Sequence, residues 1–372
     1  MKKFNILIIL LFSFLISGMA VGCSGGSDDD DPITDPTPTN IIPSNLTLTV
    51  EVVGADGANP NGDGSGVVKV TATANDAVNY RIRFNTGNEV DSSSGIAEFT
   101  YDEYGTNTYN IFVIAFSSTG DYISTSQDVT VFVTPITFST LIFYDEFDTN
   151  GSPDASKWVY DIGNGDGGWG NNEVQYYTNR TDNVTIEDGM LKIIAKKENY
   201  SGYEYTSTRM KTQGKFGFTY GRVEIKAKLP SGGGTWPALW MLGTNITTIG
   251  WPACGEIDIM EHVGNNQGTV QSAMHTPSSF GGTINHGSQY LPDVSTAFHV
   301  YSVEWNNEEM IFAVDDIEHY RYNPAIKNSE TWPFDSDQFI ILNVAMGGTF
   351  GGTIDSNFTE STMEIDYVRV YQ

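Results

Sequence analysis

Cysteine, positive charge and long apolar runs are all scarce in this chain of 372 residues. Its two cysteines, Cys23 and Cys254, cannot make a disulfide framework, so stability has to come from packed secondary structure. Only 19 Lys and Arg stand against 46 Asp and Glu, a formal net charge of -27. Such a field repels nucleic acid, sulfated glycan and anionic lipid, whereas a neutral polysaccharide is indifferent to it. No basic patch or nucleotide-binding loop suggests a different partner, and a monomer is the expectation. The extended apolar run Ile6 to Ile16 comes after Met1-Lys2-Lys3 and is too short for a comfortable membrane span, which gives it the form of an export signal.

The residues just beyond that run continue the export theme. Ala20-Val21-Gly22-Cys23 resembles a bacterial lipobox, which implies removal of residues 1–22 and a lipid on Cys23 as the sole membrane anchor. An outer-membrane or cell-surface lipoprotein of a Gram-negative bacterium is therefore expected. Residues 23–44 are rich in Ser, Gly, Asp, Pro and Thr, cannot bury apolar area, and read as a disordered tether. Their run Asp28 to Asp31 fits a surface-export tag and a solvating spacer equally well. If Cys23 is lipidated, Cys254 is left as a lone thiol with no activating base beside it in sequence, and so as a structural one.

From residue 45 the pattern turns to strands. Leu46, Leu48, Val50 and Val52 alternate with polar residues, as do Val68, Val70 and Ala72, then Tyr80, Ile82 and Phe84. With Ile96 to Tyr101, Tyr109 to Phe116 and Val129 to Val133, they predict a small antiparallel Ig-like β-sandwich over 45–135. Gly62 to Gly66 and Tyr104 to Tyr109 resemble motifs of polycystic-kidney-disease-type modules. A spacer is the first reading of this segment and glycan binding the alternative. Beyond Thr134-Pro135, strand patterns recur at Met190 to Ala195, Gly221 to Leu229, Val270 to His275, Met310 to Val314 and Phe339 to Val344, with few helical stretches. An all-β chain is expected, with a concanavalin A-like jelly-roll sandwich over 136–372 whose concave sheet offers a groove open at both ends.

The most distinctive stretch lies inside that second segment. Gly255-Glu256-Ile257-Asp258-Ile259-Met260-Glu261-His262 is too β-branched to favour helix and reads as a strand carrying acids. Period two puts Glu256 and Asp258 on one face and Glu261 on the other. A β-bulge at Ile259-Met260 keeps both apolar side chains in the core and turns Glu261 onto the face of the other two. The outer Cα atoms are then roughly 13 Å apart. Inward-leaning Glu side chains can approach the ~5 Å carboxyl separation of a double-displacement glycosidase, while like-charge crowding pushes the pKa values apart. On their own the three acids also read as a solvated face or a cation site.

Glu256-Ile257-Asp258-Ile259-Met260-Glu261 resembles the E-x-D-x-x-E signature of glycoside hydrolase family 16, the laminarinase-like β-glucanases. Gly232 to Leu242, Trp251 to Cys254, Phe298 to Trp305 and Asp366 to Tyr371 resemble the family in the same order, over about the last three-fifths of the chain. The resemblance implies Glu256 as nucleophile, Glu261 as general acid/base and Asp258 as assisting acid in a retaining endo-β-1,3-glucanase, with no metal in the chemistry. Mixed-linkage β-1,3-1,4-glucanases and agarase-like galactanases use the same trio, and a lectin-like surface protein is the reading from another class. Trp169 and Asn171 on a Gly-flanked turn, with Arg209, match cleft positions that touch sugar. Trp236, Trp240 and Trp251 are candidate stacking platforms, with Trp240 equally a core residue, and His275 is a candidate tuner of the trio. Glu146, the Gly189 carbonyl and Asp366 match a structural calcium site, with surface carboxylates as the plain alternative.

Overall fold

The computed structural model describes residues 40–85 and 88–372. The signal peptide, Cys23 and all but the last residues of the tether fall outside them. Among the described residues no helix is long and apolar enough to cross a membrane. The chain divides into two compact units, Met1–Pro135 and Ile136–Gln372, and nearly all of its regular structure is strand.

The smaller unit is a sandwich of one three-stranded and one four-stranded antiparallel sheet. Each sequence alternation buries one face: Val68, Val70 and Ala72 from Val67–Asn75 meet Ile111, Val113 and Ala115 from Gly105–Phe116 in a single core. Its order begins before residue 45. Pro43 is buried, and the backbone N–H and C=O of Ile41 both bond the Thr119 hydroxyl, at 3.1 Å each. Asn88–Ser92 is a further strand, too polar to show any hydrophobic period; it is held by Arg81 and Arg83 pairing with Asp91 and Glu89.

The larger unit is a two-sheet jelly roll. Its seven-stranded sheet runs, in spatial order, His286–Tyr290, Thr269–His275, Glu256–His262, Thr235–Gly243, Gln338–Met346, Arg209–Lys211 and Val159–Asp161. Gln338–Met346 is buried along its whole length, as its nearly continuous apolar run Phe339-Ile340-Ile341-Leu342 requires. The second sheet has ten strands around the C-terminal Glu360–Tyr371. Gly221–Lys228 typifies it, with Val223, Ile225 and Ala227 inward and Arg222, Glu224 and Lys226 on the other face. The core between the sheets takes Leu239, Met241, Ile257, Ile340, Leu342 and Val344 from the first and Val223, Ile225, Val303 and Ile365 from the second. Burying these side chains is the main stabilising term, at about 1.5–3 kcal/mol each. The opposite face of the seven-stranded sheet carries the polar residues.

Candidate active site

Strand register builds the site. Glu256 lies opposite Leu242 on one neighbour and His275 on the other, and Asp258 lies opposite Trp240 and Ala273. Glu261 pairs with Ala238 and Gln271, so Ile259 and Met260 together oppose the single residue Ser272. That two-against-one step is the β-bulge expected from the sequence. Both bulged side chains are buried, at 2% and 1% exposure, and all three acids share one face. Across the sheet the same face receives Asp161, Arg209 and Asn343 on one side and His275, Gln271 and Ser288 on the other.

The three acids sit in unlike surroundings. Glu261 accepts from the Trp236 indole N–H at 3.0 Å and from the Gln271 amide at 3.2 Å. Asp258 Oδ2 is buried without an aligned hydrogen bond, and the His275 Nε2 atom approaches it at 3.1 Å while lying 3.5 Å from Glu256. The Gly281 N–H donates to His275 Nδ1 at 3.1 Å, which assigns the ring proton to Nε2, facing the acids. Burial first, and the charge of Asp258 second, push Glu256 up to about 8. Burial and then Glu261 hold Asp258 well above the usual carboxylate range, and burial raises Glu261 against the two hydrogen bonds it accepts. Protonation therefore belongs to the trio as a unit, which keeps fewer than three charges at neutral pH. The same side is the one place among the described residues where three such groups, Glu256, Asp258 and His275, present ligand atoms within 4.8 Å of one another.

Around the trio the aromatic residues take different parts. Trp251 is 44% exposed and packs edge-on against Phe280, itself half exposed, at 5.3 Å. Trp236 packs edge-on against Phe350 at 5.4 Å. An aromatic pair thus stands at each end of the trio, Trp251 beside Glu256 through His275 and Trp236 bonded to Glu261. Trp240 is no free platform: the Arg209 guanidinium lies 4.8 Å from its ring and its N–H donates to Asn343 at 2.7 Å. The Arg209 guanidinium also lies over the Trp169 ring at 4.6 Å, and its Nε pairs with Asp161 at 3.1 Å. Asn171 donates to Glu173, a buried carboxylate that also accepts from Gln175 and Tyr177. Tyr177 accepts from Asn343 in turn, so the turn bearing Trp169 and Asn171 is tied to the floor of the cleft. Gln271, Asn343, Phe280 and Phe350 escaped the sequence reading, though Asn343 left a signal as one amide inside an apolar strand.

The remaining candidates lie elsewhere. Register brings Glu146, Gly189 and Asp366 to one junction, where Leu141–Asp145 and Met190–Tyr200 meet along the same edge of Glu360–Tyr371. Both Glu146 oxygens accept from Arg369, at 2.8 and 2.7 Å, and Asp366 pairs with Lys226 at 2.7 Å. As they stand, these carboxylates serve ion pairs. Cys254 is fully buried and free, its thiol raised to about 11 by burial and the nearby Glu256, which fits a structural thiol.

Comparison with known proteins bears on this geometry directly. Residues 171–369 match the model of Glycosyl hydrolases family 16. A β-glucanase of Rhodothermus marinus is 47% identical over 244 residues, covering 62% of this chain and 85% of the relative. The crystal structure of a laminarinase from Flavobacterium sp. UMI-01 superposes with a TM-score of 0.60 at 44% identity, over 63% of this chain and all of the other. A non-specific endo-β-1,3(4)-glucanase of family GH16, crystallised with a glucan oligosaccharide, gives 0.61 at 42% identity over 64% of this chain and 97% of that one.

Proposed function

The chain belongs to glycosyl hydrolases family 16 and is a glycoside hydrolase, and from that premise we propose that it is a retaining endo-β-1,3-glucanase acting on laminarin-like glucan. The observation that carries the reading is the bulge that gathers Glu256, Asp258 and Glu261 on one face between two aromatic pairs. Glu261, its carboxyl oriented by Trp236 and Gln271, gives a proton to the departing glycosidic oxygen. Glu256 attacks the anomeric carbon and forms a covalent glycosyl-enzyme, which a water molecule activated by Glu261 then hydrolyses with net retention. Asp258, held well above the usual carboxylate range and faced by the His275 Nε2–H at 3.1 Å, keeps the trio's remaining proton, so no second charge stands beside the nucleophile while it reacts.

Trp251, Phe280 and Phe350, all exposed, and the half-buried Trp236 supply apolar surface for pyranose faces, which suits a neutral polymer and tolerates several hydroxyl patterns. A broader specificity that includes mixed-linkage glucan has its own support in the 42% identity to a non-specific endo-β-1,3(4)-glucanase. We further infer a lipid-anchored, exported protein, from residues 1–23 alone. The deciding experiment is the product profile on laminarin, barley mixed-linkage glucan and agarose, beside Glu256→Ser. Laminari-oligosaccharides from laminarin alone fix the β-1,3 assignment. Products from barley glucan as well widen it, and products from agarose alone replace it. Turnover unchanged in Glu256→Ser overturns the mechanism.

A further inference from the structure

The bulge that brings Glu261 to the other two acids is itself held from behind. An inserted residue breaks the regular ladder and leaves backbone groups in want of partners. At Ile259 the carbonyl accepts a hydrogen bond from the Ser272 hydroxyl at 2.7 Å. Ser272 is the residue that faces the two-residue step, and it is completely buried on the core side of the sheet. Having given its only hydrogen to Ile259, its Oγ accepts from His319 Nε2 at 2.9 Å.

His319 comes from the other sheet. It lies in Ile317–Tyr322, where Phe312 pairs with Tyr320 and Ala313 with Glu318, so His319 is the unpaired extra residue of a second bulge. Its Nδ1 is buried without a partner, and burial lowers its pKa, which keeps the ring neutral with its proton on Nε2. Two irregular points, one in each sheet, are thus joined through one serine hydroxyl across the core. A regular strand pair needs no such link. This one sits between Asp258 and Glu261, where a change of backbone path alters the spacing of the acids.

We propose that Ser272 and His319 are positioning residues: the chain His319 Nε2–H to Ser272 Oγ–H to the Ile259 carbonyl locks the catalytic bulge and so sets Glu261 against Glu256 and Asp258. The inference rests on the glycosidase reading for its kinetic consequence, and on geometry alone for the lock. Loss of the lock displaces the proton donor more than the nucleophile. It therefore harms substrates that need a protonated leaving group and spares those that do not.

The test compares kcat/KM of the full chain on laminaripentaose and on a dinitrophenyl laminaribioside, whose phenolate departs without a proton. In Ser272→Ala the first should fall about 10- to 100-fold and the second by less than about threefold. Ser272→Thr, which keeps a hydroxyl, and His319→Gln, which keeps an N–H donor, should recover most of the loss, whereas His319→Ala should reproduce it. Equal losses on both substrates, or no loss with the fold intact, overturn the proposal. If Ser272→Ala fails to fold, the contrast of His319→Ala with His319→Gln answers the same question. A parent that cleaves neither substrate refutes the function, not the lock. The lock is then read from amide exchange over residues 260–262, which quickens about tenfold or more in the alanine variants if it holds those residues and is unchanged if it does not.

Discussion

Two sandwiches of the same general construction lie in this chain, and they differ in what they bury. Within the described part of the first, Ser117 is the one polar residue that is buried. The second buries Glu173, Gln175, Asp258, Glu261, His262, Ser272, His275, Gln338 and Asn343, among others. Buried polar groups are costly unless paired, and a carboxylate is the costliest. A sheet that tolerates several on one face, tied to one another and to indole N–H groups, has given up stability for a fixed arrangement of charge and donors. The first sandwich made no such exchange: Tyr80, Tyr101 and Tyr109 are core residues, and Tyr101 stacks on Tyr109. The difference points to the second unit as the one built for chemistry.

The sharpest way to break that contrast is to remove the nucleophile. Glu256→Ser should lower kcat on laminarin by about 10⁴-fold or more while leaving oligosaccharide affinity within a few-fold, as measured by calorimetry beside turnover. Retained turnover would mean that the buried acids are structural after all. The cost of burial gives the next largest effect. Glu256 sits at about 8 in the folded protein against an ordinary 4.5. The folded state thus holds its proton more tightly, and the stability this contributes is full below pH 4.5 and lost as pH rises through 8. Glu256→Gln does not titrate. It should therefore become more stable than the parent across that window, by a few kcal/mol above pH 8, visible as a Tm difference that opens between pH 4.5 and 8 and then stays level.

A smaller effect separates the two ends of the trio. Trp236→Phe keeps an aromatic ring beside Phe350 but removes the N–H that Glu261 accepts. That bond favours the ionised form, so its loss should raise the Glu261 pKa and move the alkaline limb of the kcat/KM profile upward, with a loss of about tenfold in kcat at neutral pH. An unmoved limb would show that Gln271 alone sets the acid.

Much of this was legible in the sequence, and the reasons are physical. The alternations at Met310 to Val314 and Gly221 to Leu229 mark strands because one face is buried, and Met310–Val314 is a strand with just those bounds. The bulge was legible because Ile259 and Met260 are both apolar between acids that must share a face. Partners fixed by register alone could not be read. Nothing local marks Ser272, Gln271 or His319 as neighbours of residues up to 47 positions away. Trp240 looked as much like a platform as like core, because the guanidinium that covers its ring belongs to Arg209 on a strand beyond the next. The ion pairs that hold Glu146 and Asp366 were invisible for the same reason.

The smallest expected effect is the one that tests the first sandwich. Its four-stranded sheet turns Phe112, Phe116 and Tyr122 outward, but Arg83 and Arg81 lie over the first two rings at 5.8 Å, and those arginines are themselves paired with Glu89 and Asp91. A ring already covered by a cation has less face to give a sugar. Each unit has its own hydrophobic core, so removal of residues 1–135 should leave the second one folded. On soluble laminari-oligosaccharides the shortened chain should match the parent within about twofold in kcat/KM, since every residue assigned to the site lies beyond residue 136. A loss of tenfold or more on that substrate would mean that the first sandwich completes the cleft. A loss confined to insoluble glucan would place glycan affinity on that module, and the contrast between a polar-burying and an apolar-burying sandwich would then separate cleavage from capture.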